Sequence, residues 1–319
     1  MTRVMIAAAI LFAGCTTAVP LKEEPYVAHL YGEGIIYDSL TSTFYVSSAR
    51  TGTIGKVNRA GEYSIFYTDS GFCSTYGLRI DPERELLYAC AGDANYSENT
   101  SAKTRRKMNR LIGIDLKSRE KVQDYDLSPL NTGDHYPKDL CFDSTGNIYI
   151  TDSYSNIIYK VSAEGHATVF SRSSLFKTNG NGLSGIAYHP SGFLLADNAT
   201  TGELYKIDMS NPANVRKVIL PQRLEGADGL LLNNGILTVV LNGQKNTICR
   251  LTSDDNWRSA TIISTAAIDD RDNYPSIATN NGENIWLVNT RYNDIKDSTY
   301  LPAYFALQQV TVGQPIGKQ

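Results

Sequence analysis

Short apolar runs alternate with polar, turn-rich stretches along almost the whole chain, and helical periodicity is nearly absent. That alternation predicts strands joined by tight turns rather than helices. Six segments share one pattern: GEGIIYDSLTSTFYVSS from Gly32, TYGLRIDPERELLYACA from Thr75, PKDLCFDSTGNIYITDS from Pro137, LSGIAYHPSGFLLADNA from Leu183, ADGLLLNNGILTVVLNG from Ala227 and YPSIATNNGENIWLVNT from Tyr274. Each reads as an apolar strand, a turn rich in Asp, Asn, Gly or Pro, and a second apolar strand. Third strands follow in GTIGKVN, NIIYKVS, GELYKID and NTICRLT, and fourth strands in stretches such as YSIFYT and ATVFSR.

Equivalent positions Gly34, Gly77, Asp139, Gly185, Gly229 and Ser276 are spaced by 43, 62, 46, 44 and 47 residues. Four strands per unit and a period of about 45 residues are the signature of a β-propeller. The long interval carries one insertion, 92–109. The final unit shows only its first two strands, then AYFALQQVTV, while PYVAHLY stands alone before the first unit. The pattern therefore predicts an all-β, six-bladed β-propeller over residues 25–312, with four-stranded blades. Its N-terminal strand closes the last blade as the outer member, which removes an open sheet edge.

The first residues differ in character. MTRVMIAAAILFAGC has one arginine, an apolar run and a small-residue ending, the layout of a secretory signal. LFAGC resembles a bacterial lipobox, which makes Cys15 the expected lipidation site and residues 16–24 a tether. An ordinary cleaved signal is the alternative. Either reading places the protein outside the cytoplasm, lipid-anchored to a bacterial membrane or secreted, with 313–319 a tail. Cys73, Cys90, Cys141 and Cys249 form no CxxC pair, so a structural zinc site is not expected; Cys73 and Cys90 are close enough in pattern to meet. Net charge is -3, and the one compact basic run, 103–110, lies in a polar stretch, so nucleic acid is not an expected partner. No GxSxG elbow, HExxH helix or Walker-type loop occurs.

In a propeller the innermost strands line the axis, so the residues that begin them converge. Those positions are Glu33, Tyr76, Lys138, Ser184, Asp228 and Pro275. Two carboxylates at one channel mouth call for a positive partner. Calcium or another divalent cation is one such partner, since hard cations take oxygen ligands; Lys138 is another.

GEGIIYD, PKDLCFDSTGNIYITD, SGIAYHPSGFLLADN and ADGLLLNN resemble, in order, segments of the senescence marker protein/gluconolactonase/luciferin-regenerating enzyme family, over about residues 30–290. The resemblance implies a six-bladed propeller with a divalent metal on its axis, and hydrolysis of lactones or related esters. It implies Glu33 and Asp228 as metal ligands. Two metal-ligand positions are altered: Lys138 and Ser184 stand where the family has asparagines, with Asp139 retained after the first. A serine hydroxyl can still ligate, whereas a lysine ammonium has only donors.

Two functions follow. One is a lactonase-like hydrolase of a small lactone or ester, with Glu33, Asp228 and Ser184 on the metal, Asp228 as base and His135 as proton shuttle. Tyr76, Lys138, Asp139, Ser184 and Asp152 would line its pocket. The other is a non-catalytic propeller in which Lys138 replaces the metal and the same face binds a small molecule or a protein. The insertion 92–109 and the segment 289–303 are expected to overhang that face.

Overall fold

The computed structural model describes residues 26–27, 30–242, 246–268, 275–282, 284–289 and 304–311. The expected signal, Cys15, the tether, the tail and most of 289–303 lie outside them. The chain opens with β1 (Tyr26–Val27). Blade 1 follows as β2 (Gly32–Asp38), β3 (Thr43–Ser48), β4 (Thr53–Val57) and β5 (Tyr63–Thr68). Blade 2 is β6 (Ser74–Asp81), β7 (Leu86–Gly92), β8 (Asn109–Asp115) and β9 (Lys121–Asp126), and blade 3 is β10 (Pro137–Phe142), β11 (Ile148–Asp152), β12 (Ile157–Val161) and β13 (Ala167–Arg172). Blade 4 comprises β14 (Leu183–His189), β15 (Phe193–Asn198), β16 (Leu204–Asp208) and β17 (Val215–Lys217). Blade 5 comprises β18 (Ala227–Asn233), β19 (Ile236–Leu241), β20 (Thr247–Thr252) and β21 (Thr261–Ala267). Blade 6 has β22 (Pro275–Asn280), β23 (Ile285–Asn289) and β24 (Tyr304–Val310), and β1 completes it.

All six sheets are four-stranded and antiparallel, and the architecture is a six-bladed β-propeller. Closure runs as the sequence predicts: Tyr26 pairs Phe305 and Val27 pairs Tyr304, so the N-terminal strand is the outer strand of the last blade. The inner strands β2, β6, β10, β14, β18 and β22 contact one another in a closed ring. Their backbones come so close that a side chain has no room at some positions. A Cβ on Gly34 would sit 2.3 Å from the Tyr76 carbonyl oxygen, and one on Gly77 2.7 Å from Asp139 Cα.

The core is not one mass but six apolar seams, one between each pair of neighbouring blades. Tyr45, Ile54, Leu78 and Leu87 join blades 1 and 2; Tyr88, Leu111, Leu140 and Tyr159 join blades 2 and 3. Tyr149 and Tyr205 lie in the next seam, Leu195 and Trp257 in the one after, and Phe44, Trp286 and Phe305 close the ring between blades 6 and 1. The seam between blades 5 and 6 is small, built on Val240, Ile248, Ala278, Leu287 and Val310. Cys73, Cys90, Cys141 and Cys249 are buried free thiols. Cys73 and Cys90 do not pair: Cys90 packs in the seam toward blade 3, while Cys73 Sγ lies 3.5 Å from the Asn99 carbonyl oxygen.

Candidate functional site

Every inner strand contains a register shift near its start, between Gly32 and Ile35, Thr75 and Leu78, Pro137 and Leu140, Leu183 and Ile186, Ala227 and Gly229, and Pro275 and Ala278. A bulge bends its strand and re-aims the residue inside it. The residues so placed are Glu33, Tyr76, Lys138, Ser184, Asp228 and Ser276. Five match the positions expected from the repeat. The sixth is corrected from Pro275 to Ser276, because Pro275 pairs Asn289 at the head of the ladder and the bulge begins after it. Ser276 is fully buried and its hydroxyl has no hydrogen-bond partner among the described residues.

At the axis Lys138 lies between the two carboxylates. Its Nζ is ion-paired to Glu33 Oε1 and, at 2.8 Å, to Asp228 Oδ1. The Tyr136 hydroxyl completes the set, 3.5 Å from Nζ and 3.4 Å from Glu33 Oε1. Three ammonium hydrogens thus face three oxygens. All three charged residues are buried. Burial by itself would lower the Lys138 pKa; the charges of Asp228 and Glu33 outweigh it and hold the ammonium above its ordinary range. Asp228 is held from two more sides. Asn242 Nδ2 donates to its Oδ2 at 2.7 Å, and the Ser184 hydroxyl lies 2.8 Å from its carbonyl oxygen and 3.0 Å from its Oδ1.

A tyrosine wall rises on the blade 2–3 side. Tyr136 packs against Tyr76, Tyr154 and Tyr96, with ring centroids 4.9, 5.3 and 6.3 Å apart. The Tyr76 hydroxyl is engaged by the insertion, since its oxygen accepts from Ala94 N at 3.0 Å. Tyr96 comes from the insertion, and burial followed by the charge of Glu33 raises its pKa. The insertion spans 93–108 between β7 and β8 and is pinned at both ends. Glu98 N donates to the Arg50 carbonyl in blade 1 and His135 N to the Arg106 carbonyl. The Arg106 guanidinium sits 4.8 Å above the Tyr154 ring.

The remaining candidates lie outside the Lys138 cluster. His135 is buried, with Nδ1 2.7 Å from Asp152 Oδ2 and Nε2 3.1 Å from the Asn131 carbonyl, so both ring nitrogens face partners close by. Asp152 accepts from the backbone of Tyr136, Tyr154 and Ser155 at 2.9, 3.2 and 3.1 Å and organises that region. Asp139 turns down the axis to Arg79, 3.2 Å away, and burial raises its pKa. Asp197, on β15, also turns inward. Its Oδ1 accepts from Gly185 N at 3.0 Å and its Oδ2 has no partner among the described residues; burial and then the charge of Asp228 raise its pKa well above its ordinary value. Tyr136, Tyr96 and Asn242 were not among the expected site residues. Tyr136 could have been read from its place two residues before Lys138.

A divalent cation between Glu33 and Asp228 would meet the Lys138 ammonium, which repels it and offers no lone pair. Among the described residues no group of three His, Cys, Asp or Glu side chains converges to hold a metal. The site as built does not fit a divalent cation.

The fold and site therefore define a six-bladed propeller with an ion-paired axis. No family model and no curated protein sequence matches the chain. Its solved structural neighbours include the Malassezia sympodialis allergen Mala s 1, at 17% identity over 91% of this chain and 94% of that one, with a TM-score of 0.71. They also include a gluconolactonase from Xanthomonas campestris (14% identity, 89% and 88% coverage, TM-score 0.61) and a luciferin-regenerating enzyme (14%, 90% and 92%, TM-score 0.60). The likeness is one of fold. Gluconolactonase and luciferin-regenerating propellers, named by resemblance from the sequence, are thus among the structural neighbours.

Proposed function

We propose that this protein is a metal-independent propeller that binds a small hydroxyl-rich molecule at the axial mouth, with Lys138 in the place of a cation. One observation carries the reading: the Lys138 ammonium is bonded by both carboxylates that a metal would require. The ion cluster then holds the mouth rigid. Tyr96 and Tyr154, both partly exposed, supply the aromatic faces and hydroxyls that suit a sugar-like ligand. Calcium titration by calorimetry, on wild type and Lys138→Asn, tests it. Wild type is expected to give no saturable heat, and Lys138→Asn to gain binding that is lost again on adding Asp228→Ala. Calcium binding by wild type, abolished by Asp228→Ala, would overturn the proposal.

The second reading is hydrolysis of a small lactone or ester. It is favoured by Glu33 and Asp228 at the axis and by the gluconolactonases among the structural neighbours. Fold likeness alone does not carry activity. Without a metal, the charged Lys138 would have to polarise the carbonyl. Lactone turnover by wild type, lost in Lys138→Met and Asp228→Asn, would decide for it. Export and anchoring through Cys15 belong to the same proposal; metabolic labelling with a fatty acid, absent in Cys15→Ser, tests that part.

A further inference from the structure

The opposite face of the ring carries a cleft in the seam between blades 5 and 6. One position on the second strand of each blade faces the next blade. It is Tyr45 in blade 1, Tyr88 in blade 2, Tyr149 in blade 3 and Trp286 in blade 6, each opposite a third-strand residue: Lys56, Gly113, Lys160 and Gln309. Blade 4 has Leu195 there, opposite Lys206. Blade 5 alone has a small polar residue, Thr238, opposite Arg250. Where an aromatic ring plugs most of the other seams, this one leaves a cleft of about 310 Å³ lined by Thr238, Arg250, Asn233, Asn280 and Asn284.

The lining chemistry is specific. Among the described residues no carboxylate pairs with Arg250, and its Nε is buried with no hydrogen-bond partner. Ser264, opposite Arg250 on β21, has a buried hydroxyl that is likewise unpartnered. In blade 4 the equivalent cation is used internally: Lys206 Nζ lies 3.9 Å from the Phe193 ring and 2.5 Å from the Asn256 carbonyl. A buried guanidinium edge without an acceptor asks for one, and an oxyanion matches its paired donors. Asparagine side chains at the rim offer both donors and acceptors to hydroxyl groups.

We propose that this cleft binds a small oxyanion on a hydroxyl-rich body, the size of a six-carbon sugar acid, with Arg250 holding the anionic head. The volume lies at the lower end of the range of small-molecule sites. The site is on the far face from the axial mouth, so it does not depend on the reading proposed there.

Calorimetric titration with sodium gluconate, and separately with inorganic phosphate, tests it on wild type, Arg250→Gln and Thr238→Tyr. Gluconate is expected to bind wild type saturably, at least about tenfold more weakly to Arg250→Gln, and not at all to Thr238→Tyr, whose ring fills the cleft. Loss of binding in both Arg250→Gln and Thr238→Tyr would assign it to the cleft and not to the axial mouth. Phosphate binding without gluconate binding, with the same dependence on Arg250, would uphold the oxyanion site and reject the hydroxyl-rich body. Absence of saturable binding of either probe to wild type, or equal affinity in Arg250→Gln, would overturn the proposal. Should Thr238→Tyr fail to fold, Arg250→Gln decides alone.

Discussion

Lys138 and Arg250 are both cations inside a ring of apolar seams, and they are treated in opposite ways. Lys138 has three acceptors for its three hydrogens, two of them carboxylate oxygens, and is buried. Arg250 is half-buried in a cleft and has an unpartnered Nε among the described residues. A buried charge that is fully paired is tied to the fold: removing it strands its partners. A charge with no partner contributes little to the fold and remains available to a ligand. The difference separates a polar cluster that holds a site together from one that waits for something to bind.

Substituting each cation with methionine is the most severe way to break this contrast. Lys138→Met leaves Glu33 and Asp228 facing one another without a counter-charge and should cost about 3–5 kcal/mol of stability by urea unfolding. Arg250→Met should stay within about 0.5 kcal/mol of wild type. Equal costs would show that Arg250, too, is part of the scaffold. The pH dependence adds a check. Because the Lys138 pKa is raised in the folded state, its contribution is fully present below the unfolded lysine value of about 10.4 and fades only as pH rises through the folded one. The difference between Lys138→Met and wild type should therefore be constant from about pH 6 to 9 as far as this lysine is concerned.

The aromatic plugs sharpen the contrast at a smaller scale. Tyr88→Thr gives the seam between blades 2 and 3 the residue that blade 5 already has. It removes a buried ring and the 2.6 Å bond from its hydroxyl to Gln123 Oε1, and should cost about 3 kcal/mol in thermal or urea unfolding. The mirror change, Thr238→Leu, places apolar volume in an existing cleft and should stabilise by about 1 kcal/mol. A tolerated Tyr88→Thr together with a destabilising Thr238→Leu would refute the account of the cleft as a missing plug.

Much of this was legible in the sequence, because a repeat converts distant positions into neighbours. Glu33, Lys138 and Asp228 could be brought to one axis from their place in the unit alone, and so could the closure of blade 6 by the first strand. The displacement in blade 6 was not legible. YPSIATNN lacks the glycine that marks the bulge in most other blades, so only the ladder shows that Ser276, not Pro275, faces the axis. Nor were the fates of His135 and Asp152, since a loop histidine bonds to the last residue of a strand across a geometry that no period encodes. The cleft was legible in principle: Thr238 stands in ILTVV where FYV, LYA, IYI and IWL carry an aromatic residue. Its vacancy, however, depends on the size of the neighbouring side chains, which strand patterning does not report.

The smallest expected effect concerns the layer beneath Lys138. Asp197 is buried with one oxygen bonded to Gly185 N and the other unpartnered among the described residues, and its pKa is raised by burial and by the nearby charge of Asp228. A raised acid binds its proton more tightly in the folded state than in the unfolded one. Its favourable contribution is therefore present below the unfolded value of about 3.9 and is lost as pH climbs from there toward the folded value. Above the unfolded value, folding therefore carries a penalty that grows as pH climbs toward the folded value. Asp197→Asn removes this penalty, since an amide keeps the acceptor for Gly185 N and carries no charge. The variant should thus melt at the same temperature as wild type or slightly higher at about pH 7, and lose that advantage near about pH 4. A clear loss of stability at neutral pH would mean that Asp197 is ionised and paired. The contrast would then extend further, because the axis would hold one more charged carboxylate and Lys138 would not be the centre of its charge balance.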